Sequence, residues 1–271
     1  MSVPEGQDPK LALYQQGLLP PEVKALLATL GRCVPPGSRV LDLGGYIGAF
    51  GLGAAALGYD VVIVEANPQN AAFIEASIAS NTFARPVRLV SAAIGAKRGA
   101  VRFVSNGPWG HVATATDADT VSVPQYPLPD LLSQVGWTAP DFIKMDIEGS
   151  EALMLAGAAA WFAEGHRPTL LYEANAVTLA WFDASPRQLN HQIDALGYHR
   201  YEMDDDGQLR SLARFEPRCL VDYVASPVPL AAAAPHSLWK TCKRTGRALM
   251  HPAPEARRYT RAHLWDTLTG R

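Results

Sequence analysis

The sequence predicts an α/β fold, an open and mostly parallel sheet whose strands alternate with helices. Three observations lead there. Short apolar, β-branched runs at residues 40–43, 61–64, 87–90 and 142–145 read as strands buried on both faces. Segments of helical spacing follow the first two, at residues 49–57 and from Asn67-Pro68 to about residue 81. Finally, V-L-D-L-G-G-Y-I-G-A-F-G at residues 40–51 carries the first strand through a glycine turn into a helix of small side chains.

Taken in order, residues 11–30 show apolar side chains at helical spacing, interrupted by Gly17 and by Pro20-Pro21. A short helix and then a second one starting near Pro21 are expected, capping the ligand end of the sheet. The run V-P-P-G-S at residues 34–38 turns the chain into the first strand. In the loop after that strand, Gly44, Gly45 and Gly48 depart from G-x-G-x-x-G, because Tyr46 stands where the second glycine should be. The departure favours S-adenosylmethionine over NAD as the nucleotide cofactor. Asp42 and the backbone of residues 44–48 are expected around its methionine portion.

Gly58 stops the first helix. The second strand ends in Glu65, about 20 residues past the start of the glycine loop, where a carboxylate reaches ribose hydroxyls; Ala66 and Asn67 continue that wall. The next helix carries an apolar stripe of Ala71, Phe73, Ile74 and Ile78, and the third strand leads into Ser91 and Ala92, expected at the adenine rim.

The pattern loosens over residues 100–132. Alternation marks strands at 101–104 and 120–123, and the loop 105–115, with Asn106, Gly107, Trp109, Gly110 and His111, reads as a substrate entrance. His111 is a candidate for proton transfer there, against the plainer reading of a surface-loop histidine. Residues 124–129 read as a rigid proline-bounded connection into a short helix at 130–135.

The run D-F-I-K-M-D-I-E-G-S-E at residues 141–151 is the second informative stretch. Lys144 lies inside a buried strand and should either reach the sheet's open edge or pair with a carboxylate, for which Glu173 is expected. Asp146 and Glu148, two apart and so facing alike in extended chain, end the strand where open α/β sheets bind ligands. Gly149 then releases the chain into a helix whose first turn holds Glu151, suited to the helix dipole. A strand at 170–172 ends in Glu173-Ala174-Asn175, bringing another acid and an amide beside Asp146. Helix 186–196, strand 199–203, the turn Asp204-Asp205-Asp206-Gly207 and a last, antiparallel strand at 219–224 complete the domain.

Cys33, Cys219 and Cys242 are too scattered for a disulfide framework or a zinc site, which fits a reducing, cytoplasmic setting. Residues 1–10 lack the basic and apolar regions of a leader, and the longest apolar stretch, 152–163, is too short to span a bilayer. The net charge of -2 hides an asymmetry. Lys240, Lys243, Arg244, Arg247, Arg257, Arg258, Arg261 and Arg271 stand against Glu255 and Asp266, so the tail carries about +6. The first reading of that tail is the solvated face of a terminal helix, the second an anionic partner; nucleic acid is not expected. The chain divides into a helical cap (1–37), a catalytic domain (38–226) and a basic extension (227–271).

Together V-L-D-L-G-G-Y-I-G, V-E-A-N-P, V-R-L-V-S-A-A-I-G and F-I-K-M-D-I-E-G-S-E resemble the FkbM family of S-adenosylmethionine-dependent methyltransferases over about residues 38–225. The last run is the most specific. The resemblance implies a doubly wound, Rossmann-like sheet of seven strands with helices on both faces. It also implies O-methylation of a hydroxyl on a sugar, glycan or other small molecule such as a secondary metabolite. Many methyltransferases carry an acid for the adenine amino group where this sequence has Ser91.

Methyl transfer needs an oxygen aligned with the methyl, and alignment is worth effective molarities of about 10⁵–10⁸ M. A placed base adds about 10²–10⁴-fold. Asp146 is the first candidate for that base or for orienting the acceptor, with Glu148 and Glu173 behind it, Lys144 beneath and His111 at the entrance. A Mg²⁺ ion on Asp146, Glu173 and Asn175 is a variant that is not favoured, since the same acids suit Lys144 or sugar hydroxyls. Two other classes remain: a nicotinamide-dependent oxidoreductase, against which Tyr46 counts, and a catalytically silent binding module, against which the intact Asp42, Glu65 and Asp146 count.

Overall fold

The computed structural model describes residues 13–14, 16–105, 110–115, 117–212 and 220–233. Helix α1 (Pro21–Cys33) leads into β1 (Arg39–Leu43), α2 (Ala49–Ala56), β2 (Asp60–Glu65), α3 (Pro68–Ala79) and β3 (Val87–Ser91). A β-rich segment follows: β4 (Ala93–Ile94), β5 (Gly99–Val104), β6 (His111–Val112) and β7 (Val121–Tyr126). The chain continues through α4 (Leu128–Gln134), β8 (Phe142–Met145), α5 (Glu151–Gly157), α6 (Ala159–Ala163), β9 (Thr169–Asn175) and α7 (Ala176–Ala180). It closes with α8 (Pro186–Ala195), β10 (His199–Met203), β11 (Leu209–Arg210) and β12 (Leu220–Ser226).

The main sheet runs β11-β10-β12-β9-β8-β1-β2-β3. From β1 the chain winds outward to β3, then returns to β8 and winds the other way, so the strand order reverses between β1 and β8. That switch point is where open α/β sheets leave a crevice for ligands. As expected, β12 runs antiparallel, and it slots between β9 and β10. The sheet has eight strands among the described residues, where seven were expected. The extra one, β11, exists because the Asp204 carboxylate accepts from the N–H groups of Asp206 and Gln208 and from Arg210, folding the turn back on β10.

Side chains alternate across the sheet and meet helices on both faces. Val40, Val61, Ile63, Phe142, Leu171 and Val224 pack under α1 and α2 through Leu30, Phe50 and Leu52. Leu41, Leu43, Ile143, Met145, Leu170 and Tyr172 pack on the other face against Leu131, Met154, Phe162 and Ile193. The stretch 152–163 is broken between α5 and α6, and no helix among the described residues is long and apolar enough to cross a membrane.

The loosely patterned segment builds a second sheet, in the order β4-β7-β5-β6. Here β7 extends through Pro124, in place of the expected stiff connection. Proline is tolerated because β4 pairs with Gln125 and Tyr126, leaving the edge at Pro124 without a ladder partner on that side. Asn106, Gly107, Trp109, Cys219, Cys242 and the basic tail beyond Ala233 lie outside the described residues.

Candidate active site

The carboxyl ends of four parallel strands and the amino end of antiparallel β12 share one rung. Register sets Leu43 beside Val64 and Met145, Met145 beside Tyr172, and Glu173 beside Asp222. The next residues along, Glu65, Gly44, Asp146 and Glu173, therefore form a row ending at Asp222, with strands about 4.8 Å apart. This is a line of carboxylates interrupted by one glycine. Gly44 holds φ +80°, and a Cβ there would lie 1.8 Å from the Asp146 carbonyl oxygen, so no other residue lets the loop approach β8 this closely.

Two residues earlier on the same face, Asp42 sits directly across from Lys144. The Lys144 ammonium lies 3.4 Å from Asp42 Oδ1 and 3.3 Å from Asp146 Oδ2, and donates to the Gly44 carbonyl at 3.1 Å. Burial works against the ammonium, but Asp146 and Asp42 outweigh it and its pKa rises. Complete burial also pushes the Asp42 carboxyl up, opposed by Lys144 and by the Gly51 N–H, which donates at 3.0 Å. The partner expected for Lys144 was Glu173; the structure corrects this. Lys144 leans toward β1, where the Gly44 carbonyl accepts from it and Asp42 forms an ion pair with it.

Glu65 braces the glycine loop. One carboxylate oxygen accepts from the Tyr46 N–H at 2.7 Å, and the other from the Asn67 N–H at 2.8 Å and the Asn70 amide at 3.5 Å. Burial raises its pKa to about 7 in spite of those donors. Tyr46 is held at φ 51°, a left-handed conformation unusual for a residue with a side chain and common at ligand sites.

Beyond β8 the chain turns at once, so Asp146 and Glu148 do not face alike as in extended chain. Glu148 takes φ 49° and Gly149 φ 95°, and a Cβ on Gly149 would meet the Thr178 carbonyl at 2.1 Å. Glu151 clamps this turn by accepting from the Ile147 N–H at 3.0 Å, a role beyond complementing the helix dipole. Burial lifts its pKa to about 7. For Glu173, burial and then the charges of Asp146, Glu148, Asp222 and Glu151 hold the carboxyl well above its ordinary range.

These groups surround a cavity of about 330 Å³. One side is Gly44, Tyr46, Glu65, Ala66, Asn70 and Ala92; the other is built by Phe103 and Val112 of the small sheet with Gly110, Glu148, Ser150, Glu173 and Asn175. Asp146 lies between them and also borders a second cavity of about 310 Å³, which Lys144, Glu173, Asp204 and Asp222 help to line.

Of the expected site residues, Asp42, Gly45, Gly48 and Asn67 shape the loop from behind without lining the main cavity. Lys144 acts from beneath, through Asp146. Ser91 opens into a separate groove with Arg88 and Tyr126, and Ala92 lines the main cavity. His111 does not reach the cavity. Its neighbours Gly110 and Val112 face inward, so strand alternation turns the imidazole outward, onto Trp181 at 4.5 Å and toward Asp117 at 3.6 Å. Sequence reasoning missed Phe103, Val112 and Ser150. Ser150 lay within the D-I-E-G-S-E run, whereas nothing indicated which sheet residues 101–104 would join.

The donor set does not suit a resident Mg²⁺. Among the described residues no three His, Cys, Asp or Glu side chains converge as a metal-binding group. The Asn175 side-chain oxygen is taken by the Val177 N–H at 3.0 Å, and the Lys144 ammonium stands where a cation would meet Asp146.

A family model for the methyltransferase FkbM domain matches residues 42–203, more than half of the chain. No curated protein matches. Similar solved structures include a precorrin-6y C5,15-methyltransferase from Geobacter metallireducens, 15% identical, covering 76% of this chain and 87% of that one, with TM-score 0.41. A TehB-like SAM-dependent methyltransferase from Corynebacterium glutamicum is 14% identical over 79% and 92%, with TM-score 0.44. A magnesium protoporphyrin IX methyltransferase from Synechocystis, solved with bound SAM, is 10% identical over 83% and 87%, with TM-score 0.44.

Proposed function

The chain belongs to the FkbM methyltransferase family and depends on S-adenosylmethionine, and on that premise we propose that it O-methylates a hydroxyl on a sugar, glycan or secondary metabolite, with Asp146 receiving the hydroxyl proton. The observation that carries this reading is the position of Asp146, on the boundary between the two sides of the cavity, with one carboxylate oxygen fixed by Lys144. The cofactor supplies a methyl on a positively charged sulfur, which keeps the bonding pair as the new oxygen–carbon bond forms. The 44–48 backbone, Glu65, Ala66 and Ala92 hold it, and Asp146 aligns the hydroxyl and takes up its proton. Residues 38–226 form the catalytic domain in this reading, with 1–37 as a cap and 227–271 as an extension. Labelled methyl transfer to a panel of hydroxyl acceptors, followed by location of the methyl by NMR, is the test; methylation at nitrogen or carbon throughout the panel would sink it.

The nicotinamide and silent-module readings fall with the family assignment.

Glu65 makes cofactor binding pH-dependent. Its pKa of about 7 means that protonation grows as pH drops through neutrality, whereas ribose hydroxyls donate to the ionised form. Affinity for S-adenosylhomocysteine is expected to weaken by about tenfold from about pH 8 to about pH 6. Glu65→Gln should bind more weakly at pH 8 and show a flattened profile, and Glu65→Ala should lose most of the affinity. Calorimetric titration across pH checks this; an unchanged slope in Glu65→Gln would assign the titration to Glu151. Stability of the unliganded fold has the opposite slope, since a raised carboxyl pKa costs stability above its ordinary value and the cost is complete above about pH 7.

A further inference from the structure

Charge in the main cavity is one-sided. Among the described residues that line it there is no Lys, Arg or His, while Glu65, Asp146, Glu148 and Glu173 bring four carboxylates. Lys144 answers Asp146. Glu173 stands one strand over, with Asp222 on its far side and Glu148 and Glu151 in its field. Burial and these neighbouring acids disfavour its ionised form, which calls for a cation brought in with a ligand.

A second feature, independent of charge, marks the same wall. Ser150 is 2% exposed, and its hydroxyl oxygen has no hydrogen-bond partner. It occupies the N-cap of α5, where a serine oxygen ordinarily accepts from an N–H one turn into the helix, but it makes no capping bond. The nearby Ile147 N–H is taken by Glu151. Folded proteins rarely leave a buried hydroxyl unsatisfied, and Ser150 belongs to the cavity wall, so a rotation of its hydroxyl toward the cavity would give it a partner in what binds there.

We propose that the acceptor is a cationic polyhydroxy compound of the amine-bearing sugar class, whose ammonium pairs with Glu173 and one of whose hydroxyls bonds Ser150. Asp146 and Glu173 follow each other on the rung at about one strand spacing, roughly 4.8 Å, a span that one sugar ring covers between its amine and the hydroxyl to be methylated. The inference rests on the hydroxyl-acceptor reading above.

The test uses the full chain saturated with S-adenosylhomocysteine, titrated with glucosamine, N-acetylglucosamine and glucuronic acid, related rings that differ in charge. Glucosamine should bind about tenfold or more tightly than the other two. Glu173→Gln should erase that preference, and Ser150→Ala should weaken glucosamine by about tenfold, both with wild-type affinity for S-adenosylhomocysteine. Equal affinities, binding of none of the three, or preference for glucuronate would overturn the proposal. So would a Glu173→Gln effect confined to the ratio of S-adenosylmethionine to S-adenosylhomocysteine affinity, which would assign the carboxylate to the cofactor's sulfonium. Glucosamine methylated on nitrogen, with the Glu173 dependence intact, would reject the hydroxyl reading and keep the charge recognition.

Discussion

Asp146→Asn should lower turnover by about 10²–10⁴-fold, the usual contribution of a placed base, and change affinity for S-adenosylhomocysteine by no more than a few-fold. The asymmetry follows from where Asp146 sits. Its side chain is 42% exposed, with one oxygen toward Lys144, so the other is available to an acceptor proton. Asparagine keeps the shape and can still accept from the ammonium, which preserves the turn at residues 146–150, but it cannot take a proton. Turnover in the variant should climb with pH as the acceptor hydroxyl itself ionises. Initial rates of labelled methyl transfer across pH, beside calorimetric affinities, separate the two parameters. A variant with near-normal turnover would move the proton to Glu148 or Glu173.

The ends of the inner strands were legible in the sequence, because they depend on local features. An acid at the end of a β-branched run and a glycine turn into a small-residue helix are both written within a few positions, and Glu65 and Gly44 stand where that pattern puts them. Partnerships across strands are not local. Lys144 announced that it needed a carboxylate, but the choice of Asp42 over Glu173 depends on the β1–β8 register, which no stretch of the chain encodes alone. His111 failed for a related reason. One residue of phase in a two-residue strand decides whether a side chain faces the cavity, and neighbours Gly110 and Val112 took the inward positions. Pro124 argued for a break and lies in a strand, since the cost of its missing N–H depends on whether a neighbour is present to receive it.

Lys144→Met should destabilise the fold by about 3–5 kcal/mol, the cost of leaving a buried charge without its partner. That is a melting-temperature drop of roughly 10 °C for a chain of this size. Asp42 is wholly buried, and without the ammonium it keeps one N–H donor, from Gly51, so its carboxyl should become neutral over a wider pH range. The sign is then fixed. An acid whose folded pKa lies above its unfolded value costs most at high pH, so the deficit should be largest in alkaline buffer and shrink as pH falls toward the ordinary carboxylate range. Adding Asp42→Asn removes the stranded charge and should restore most of the stability. It should not restore turnover, because Asp146 still lacks the ammonium that holds its Oδ2. Thermal melts over pH and methyl-transfer rates on the two variants therefore separate two roles of one lysine. A double variant that regains both properties would show that Lys144 serves Asp42 alone, and that Asp146 is held by the turn from Ile147 to Glu151.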